Sequence, residues 1–216
     1  MGDRRQQCEK CRRVSCMWPT PCRNYIPDGS ALQNLLRKLR STPGVRKVFL
    51  NSGMRLDLAL RQPELTKDII RYHVSGHLKV APEHLHPRVL NLMRKGRAGE
   101  LEAFMKLFDQ CCREVHKEQY LIPLFISNFP GCTEAEMKVV DDFLEQHHWS
   151  PQQVQDYIPL PMTMGAAMYY SGLNPYTGEK IVVNRGLRER RTQIRMLKKK
   201  RGSKYQTQNF SRKGKR

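Results

Sequence analysis

Residues 8 to 22 read CEKCRRVSCMWPTPC, placing Cys8, Cys11, Cys16 and Cys22 at spacings C-x2-C-x4-C-x5-C. Four thiols this close let one loop wrap a single ion or cluster. Such a site needs deprotonated sulfur, and Lys10, Arg12 and Arg13 between the cysteines lower thiol pKa values and offset part of the thiolate charge. Zinc and an iron–sulfur cluster both fit this donor set, and unligated thiols on a flexible arm are the alternative. The remaining cysteines bring the total to seven, an odd number that argues against a fully paired disulfide framework.

Two further groups carry chemistry. In HLKVAPEHLHPRVLNLMRKG, residues 77 to 96, Glu83, His84 and His86 fall at the end of an expected strand, where βα folds gather their ligand sites. A carboxylate there can accept hydrogen bonds from a ribose or an amine, whereas two histidines without a third ligand are usually surface or supporting residues. In LFISNFPGCTEAEM, residues 124 to 137, Ser127 and Asn128 end another strand, and the helix start after Thr133 aims unbonded amide groups at the same end of the sheet. No Walker loop, G-x-S-x-G elbow or H-E-x-x-H is present.

The elements that must position these residues follow from periodicity. Ser30 and Gln33 form a capping-box pattern opening a helix with Leu32, Leu35, Leu36 and Leu39 on one face. Val45 to Leu50, VRKVFL, is expected as the first strand. Helix 64 to 74, strand 77 to 81, helices 87 to 95 and 99 to 116, and strand 120 to 127 come next. YLIPLFIS is nearly continuous in apolar residues, as expected of a strand buried on both faces of a parallel sheet. Cys111 and Cys112 lie on the apolar face of helix 99 to 116 and belong to the core or its boundary. Thr133 and Glu136 open a further helix with a capping box, and Val154 to Leu160 is the fourth strand.

Strand starts 30 to 45 residues apart fit right-handed βα units, too few to close an eight-stranded barrel. The expected organisation is a cysteine-rich segment, 1–29; a βα half-barrel, 30–162; an extension rich in Gly and Tyr, 163–184; and a basic tail, 185–216. Of the net charge of +19, the tail holds +13, from fourteen Lys and Arg against Glu189 alone. Its first part can form a helix with Leu187, Ile194 and Leu197 on one side, and GSKYQTQNFSRKGKR has the composition of a disordered arm. Such an arm binds RNA or another polyanion through counterion release. Without an apolar run long enough to cross a bilayer, or a signal-peptide core at MGDRRQQCEK, the expected location is cytoplasmic.

Together these segments resemble radical S-adenosylmethionine (SAM) proteins, most closely the YgiQ type. HLKVAPEHLHPRVLNLMRKG resembles that superfamily's strand ending in a ligand-facing Glu or Gln, followed by a helix and a Lys/Arg-Gly. CRRVSCMWPTPC, NSGMRLDLA, LKVAPEH, KEQYLIPLFIS and VQDYIPLPMT with AMYYSG are closer still to YgiQ, and these segments fall between residues 8 and 172. The resemblance implies an α/β radical-SAM partial barrel, of which this chain is the C-terminal half. It implies a [4Fe-4S] cluster that reductively cleaves SAM, with Glu83, Ser127, Asn128 and Arg55 on the rim that faces SAM. The superfamily's cluster motif, C-x3-C-x2-C, is absent from this sequence. Cys8 to Cys22 resemble a second, downstream cysteine group, an accessory site for zinc or iron–sulfur. The implied partner is the missing N-terminal half of the barrel, and the chain alone is expected to be inactive. The competing expectation is a metal-stabilised module that binds RNA or ribosomes through its tail.

Overall fold

The computed structural model describes residues 8–9, 11–13, 15–151 and 153–201. Its elements, in order, are α1 (Ser30–Ser41), α2 (Leu56–Ala59), α3 (Pro63–Tyr72), β1 (His77–Glu83), α4 (Pro87–Leu92), α5 (Glu100–Glu114), β2 (Tyr120–Ser127), α6 (Glu134–Gln146), β3 (Gln153–Asp156), α7 (Met164–Ser171) and α8 (Leu187–Lys198). The fold is α/β, with a three-stranded sheet in the order β1-β2-β3. β2 and β3 run parallel, with Leu124 to Ser127 opposite Gln153 to Asp156.

The chain divides into two compact units, residues 1–81 with 94–121, and residues 82–93 with 122–216. In the first unit α5 packs on α2 and α3, and α3 packs on α1 and α2. Leu101, Phe104, Phe108 and Cys111 are buried at the spacing of one helical stripe, and Ile69 and Ile70 of α3 are buried as well. Buried polar groups tie the loops to this core. The Thr66 hydroxyl donates to the Ala59 carbonyl at 2.8 Å, and the Gln119 amide donates to the Ile70 carbonyl at 3.1 Å. In the second unit α8 packs on α6 and β3. Met137, Val140, Phe143 and Leu144 form the buried stripe of α6, as their spacing predicts. The Thr133 hydroxyl and Glu136 carboxylate complete a reciprocal capping box that starts this helix.

Several expectations change. Residues 45 to 50 form no strand: this stretch meets His73 through the Leu50 N–H to the His73 carbonyl and the His73 Nδ1 to the Val48 carbonyl at 2.8 Å, and the run beyond it forms one parallel bridge, Met54 with Val80. Two bonds at Met54 do not make a ladder, so β propensity alone did not carry the segment into a sheet. The Ser30 capping box is also absent. Gly29 precedes the helix and makes no side-chain cap, Asp28 accepts from the Ser30 amide, and Gln33 instead donates to Asp68 at 3.0 Å. Of the α1 leucine stripe only Leu36 is buried. β2 occupies the expected residues, but its burial alternates toward Ser127 rather than being complete on both faces. α7 forms in the Gly- and Tyr-rich extension, and α8 forms within the basic tail. Residues 202 to 216, the proposed disordered arm, lie outside the described residues.

Candidate functional site

Two successive strands end on non-glycine residues with left-handed backbone: Glu83 closes β1 at φ 63°, and Asn128 follows β2 at φ 60°. Such residues cost about 1 kcal/mol each and persist where the surroundings hold them. At Asn128 the surroundings are explicit. Its side-chain amide donates to Asp156 Oδ1 at 2.7 Å and to the Arg190 carbonyl at 3.1 Å. Its Oδ1 accepts from Asn184, and its backbone N–H donates to Gln193 Oε1 at 2.8 Å.

Asp156 sits at the centre of this cluster. It accepts from the Ser127 hydroxyl at 3.1 Å and from Arg190 Nε at 2.9 Å and Nη2 at 2.5 Å. Arg190 also reaches the Tyr157 carbonyl at 2.9 Å. Three elements therefore converge on one carboxylate: the ends of β2 and β3, and α8. The bonding is charge-assisted and two-pronged on the arginine side, the geometry in which such pairs are strongest. Ser127 and Asn128 are 0% and 1% exposed.

A second polar cluster extends from α8 to the start of α6. The Gln193 amide donates to the Cys132 carbonyl at 2.9 Å, and Asn184 donates to the same carbonyl. Cys132 Sγ lies 3.4 Å from His84 Nε2. Because His84 Nδ1 accepts the His86 backbone N–H at 3.0 Å, the ring proton belongs on Nε2, directed at sulfur. Burial, then the neighbouring His86, brings the His84 imidazole down to about 3, and burial pushes the Cys132 thiol up to about 12. This pair is neutral, an ordering interaction rather than a thiolate–imidazolium nucleophile. Beside it, Arg88 donates to Glu136 at 3.0 Å and to the Gly131 carbonyl at 2.6 Å. Partial burial pushes the Glu136 carboxyl up, but hydrogen bonds from the Thr133 hydroxyl and amide, with the Arg88 charge, outweigh it and bring the group down to about 2.

Of the residues singled out in the sequence, Ser127 and Asn128 come together, both enclosed by the chain's own polar groups. Glu83 is half-buried in the same unit. Arg55 belongs to the other unit, where Nε and Nη2 clasp both oxygens of the nearly buried Asp57 at 2.7 and 2.8 Å. His84 and His86 form a hydrogen-bonded turn with no third metal ligand among the described residues. Cys111 is buried and Cys112 half-buried, as their helical face predicts.

Cys8, Cys11 and Cys16 are exposed and Cys22 is half-buried, all as free thiols. The Cys11 amide bonds the Cys8 carbonyl at 3.0 Å, and the Cys22 amide bonds the Cys16 carbonyl at 2.7 Å. Among the described residues no three His, Cys, Asp or Glu side chains converge to hold a metal. The four thiols supply a suitable donor set without being gathered.

The first part of the tail forms the helix that its apolar spacing allows, and this helix is packed. Arg190 pairs with Asp156, Lys199 with Glu145 and Arg201 with Asp141, and Gln193, Leu197 and Arg201 are buried. This part of the tail is a packed helix with several of its charges neutralised, not a solvated arm. Sequence reasoning missed Asp156, Arg190, Gln193 and Cys132. The only available signal was Leu197 and Ile194 recurring within the basic run.

Among the described residues no helix is long and apolar enough to cross a membrane. Residues 152–209 match a family model described as a domain of unknown function, DUF3362. The chain is 40% identical over 195 residues to a UPF0313 protein of Methanocella arvoryzae, covering 90% of this chain and 33% of that protein. It is 40% identical over 196 residues to a UPF0313 protein of Bacteroides thetaiotaomicron, and 42% over 187 residues to one of Geobacter sulfurreducens. These alignments take in 86% and 87% of this chain and 32% and 31% of the relatives. The chain thus spans about a third of the length of the curated relatives it matches.

Proposed function

We propose that this chain corresponds to a C-terminal portion of a YgiQ-type radical SAM protein. The observation that carries this reading is near-complete coverage of the chain, at 40 to 42% identity, by relatives about three times its aligned length. The strands ending at Glu83 and Ser127, with helix starts behind them, support it as βα units of a partial barrel. In the whole protein, C-x3-C-x2-C cysteines of the other portion would hold a [4Fe-4S] cluster, and that cluster would supply the electron for reductive cleavage of SAM.

Within this chain Glu83 is the residue suited to face SAM. Its carboxylate ends β1, and it can accept hydrogen bonds from a ribose hydroxyl or an ammonium group. Ser127 and Asn128 act differently: enclosed by Asp156, Arg190 and Gln193, they fix the end of β2 as positioning residues. Arg55, clasped by Asp57, holds the chain just ahead of α2. Cys8, Cys11, Cys16 and Cys22 form an accessory site that closes on zinc or an iron–sulfur cluster. The cytoplasm is the compartment that keeps such thiols reduced.

The test is anaerobic reconstitution with iron and sulfide, followed by dithionite and SAM. The chain alone yields no 5'-deoxyadenosine above background, and joined to a portion carrying C-x3-C-x2-C it does. Reductive cleavage by the chain alone overturns the proposal. Metal analysis of single Cys→Ser variants at the four positions should show metal lost from each, and full retention in all four removes the accessory site.

A further inference from the structure

A cavity of about 650 Å³ opens in the first unit, lined by the segment 46 to 49, the loop leading from α3 into β1, and the loop leading from α5 into β2. None of its residues takes part in the proposed radical chemistry. Four fixed cations line it: Arg40, Arg46, Lys47 and Lys117. Against them stands one carboxylate, Glu118, which already accepts the Tyr120 hydroxyl at 2.5 Å. The cavity is therefore strongly electropositive, and all four cations are exposed.

Two aromatic rings share this wall, Phe49 at 45% and Tyr72 at 40% exposed. Large apolar rings left open to water beside cations are the feature that separates this cavity from an ordinary basic patch. Arg40 stacks on Tyr72, its guanidinium carbon 3.8 Å from the ring centroid. A stacked guanidinium keeps its N–H edge available for two-pronged hydrogen bonding to phosphate. Lys117 is anchored at the same wall by its bond to the Arg71 carbonyl. Cations that hold phosphates together with π faces that accept bases are the pairing that binds single strands without reading sequence. The volume falls in the range of a ligand-sized pocket, about 300 to 1,000 Å³, and its concavity suits a strand rather than a flat lipid surface.

We propose that this cavity is a single-stranded nucleic-acid site, in which Phe49 stacks a base and Arg40, Arg46, Lys47 and Lys117 hold the adjoining phosphates. This assigns the first unit a polyanion site of its own, in addition to the binding that the sequence places in the tail. The recognised chemistry is a base joined to a run of phosphates, so a strand binds far better than a mononucleotide.

The experiment is fluorescence anisotropy of a labelled 12-residue RNA with the full-length chain. Phe49→Ala is expected to weaken binding about fivefold or more, leaving the salt dependence unchanged, and Phe49→Trp to restore it. Arg46→Ala and Lys47→Ala are expected to lower the slope of log K against log salt by about 0.7 for each phosphate that is no longer neutralised. A DNA oligomer of the same sequence is the second arm and should respond to Phe49→Ala alike. These residues are exposed, and circular dichroism checks that the variants remain folded. Wild-type affinity and salt slope in all the alanine variants would place binding elsewhere and overturn the proposal. So would competition by adenosine 5'-monophosphate as effective, per molecule, as by the unlabelled oligomer, because the cavity would then take a free nucleotide.

Discussion

Replacing Arg190 by methionine keeps most of the apolar stem and removes the guanidinium that binds Asp156 through two nitrogens and reaches the Tyr157 carbonyl. Hydrogen bonds to charged partners contribute about 1.5 to 3 kcal/mol, and breaking a fully buried pair costs about 3 to 5 kcal/mol. Here the side chains of Arg190 and Asp156 are 19% and 26% exposed, and Asp156 keeps the Ser127 hydroxyl and the Asn128 amide as donors. The carboxylate is not orphaned, so the expected loss is about 2 kcal/mol. With a urea m-value of about 1 to 2 kcal/mol/M, that moves the midpoint down by about 1 to 2 M. Trp149 lies in the same unit as this cluster and Trp18 in the other, so fluorescence in a Trp18→Phe background follows the relevant unfolding. Asp156→Asn turns an acceptor into a group that also donates, facing donors from Asn128 and Arg190. The double variant should therefore be less destabilised than the sum of the singles, by about 1.5 kcal/mol or more. A midpoint shift below about 0.3 M for Arg190→Met, or strict additivity in the double variant, would refute the convergence of β2, β3 and α8 on Asp156.

Two further outcomes are expected. Glu136 falls from 4.5 to about 2 in the folded chain, so its stabilisation is fully present only above the unfolded carboxyl's titration, and it is lost as pH drops from about 5 to 2. The shift corresponds to about 3 kcal/mol, and solvent screening at this helix start reduces the expectation to about 2 kcal/mol. Glu136→Gln should remove that part of the acid dependence in denaturation curves recorded at pH 3 and pH 6. Gly131 has φ +87°, and a Cβ there would stand 2.3 Å from Leu92 Cδ1. Gly131→Ala is expected to destabilise by about 2 to 4 kcal/mol from backbone strain and overpacking together. In Gly131→Ala/Leu92→Ala the added methyl meets no Leu92 side chain, so the destabilisation should be smaller than the sum of the single-variant losses.

How far each element was legible depends on whether its cause is local. β2 runs from Tyr120 to Ser127 as its β-branched and apolar residues indicate, and α6 starts at the Thr133 capping box because both halves of that box lie three residues apart. VRKVFL has the same local preference for a strand, but a strand exists only with a partner, and this run bonds to His73 ahead of the sheet while the first bridge to β1 comes beyond it, at Met54. Gln193 and Arg201 are polar residues in a cationic run, where nothing nearby announces burial. Their partners, Asn128, Cys132 and Asp141, are about sixty residues away. Asp156 was hidden for the same reason: its role is created by α8 and by the end of β2. The candidate site was thus legible as strand ends, through Glu83, Ser127 and Asn128, while the groups that enclose two of those residues were not.

The hydrogen bonds that join the Gln193 side chain to the Asn128 amide and the Cys132 carbonyl impose an order in time. Asn128 and Gln193 are separated by 65 residues, so at about 5 to 20 residues per second the ribosome delivers the second some seconds after the first. During that interval the end of β2 holds polar groups that must remain hydrated, because closing over them without Arg190 and Gln193 would bury them unbonded. The second unit therefore completes its fold only when α8 has emerged. A polypeptide stopped just short of Arg190 would retain the hydrophobic stripe of α6 with no cover from Leu197, the state most open to proteases and to association with other nascent chains.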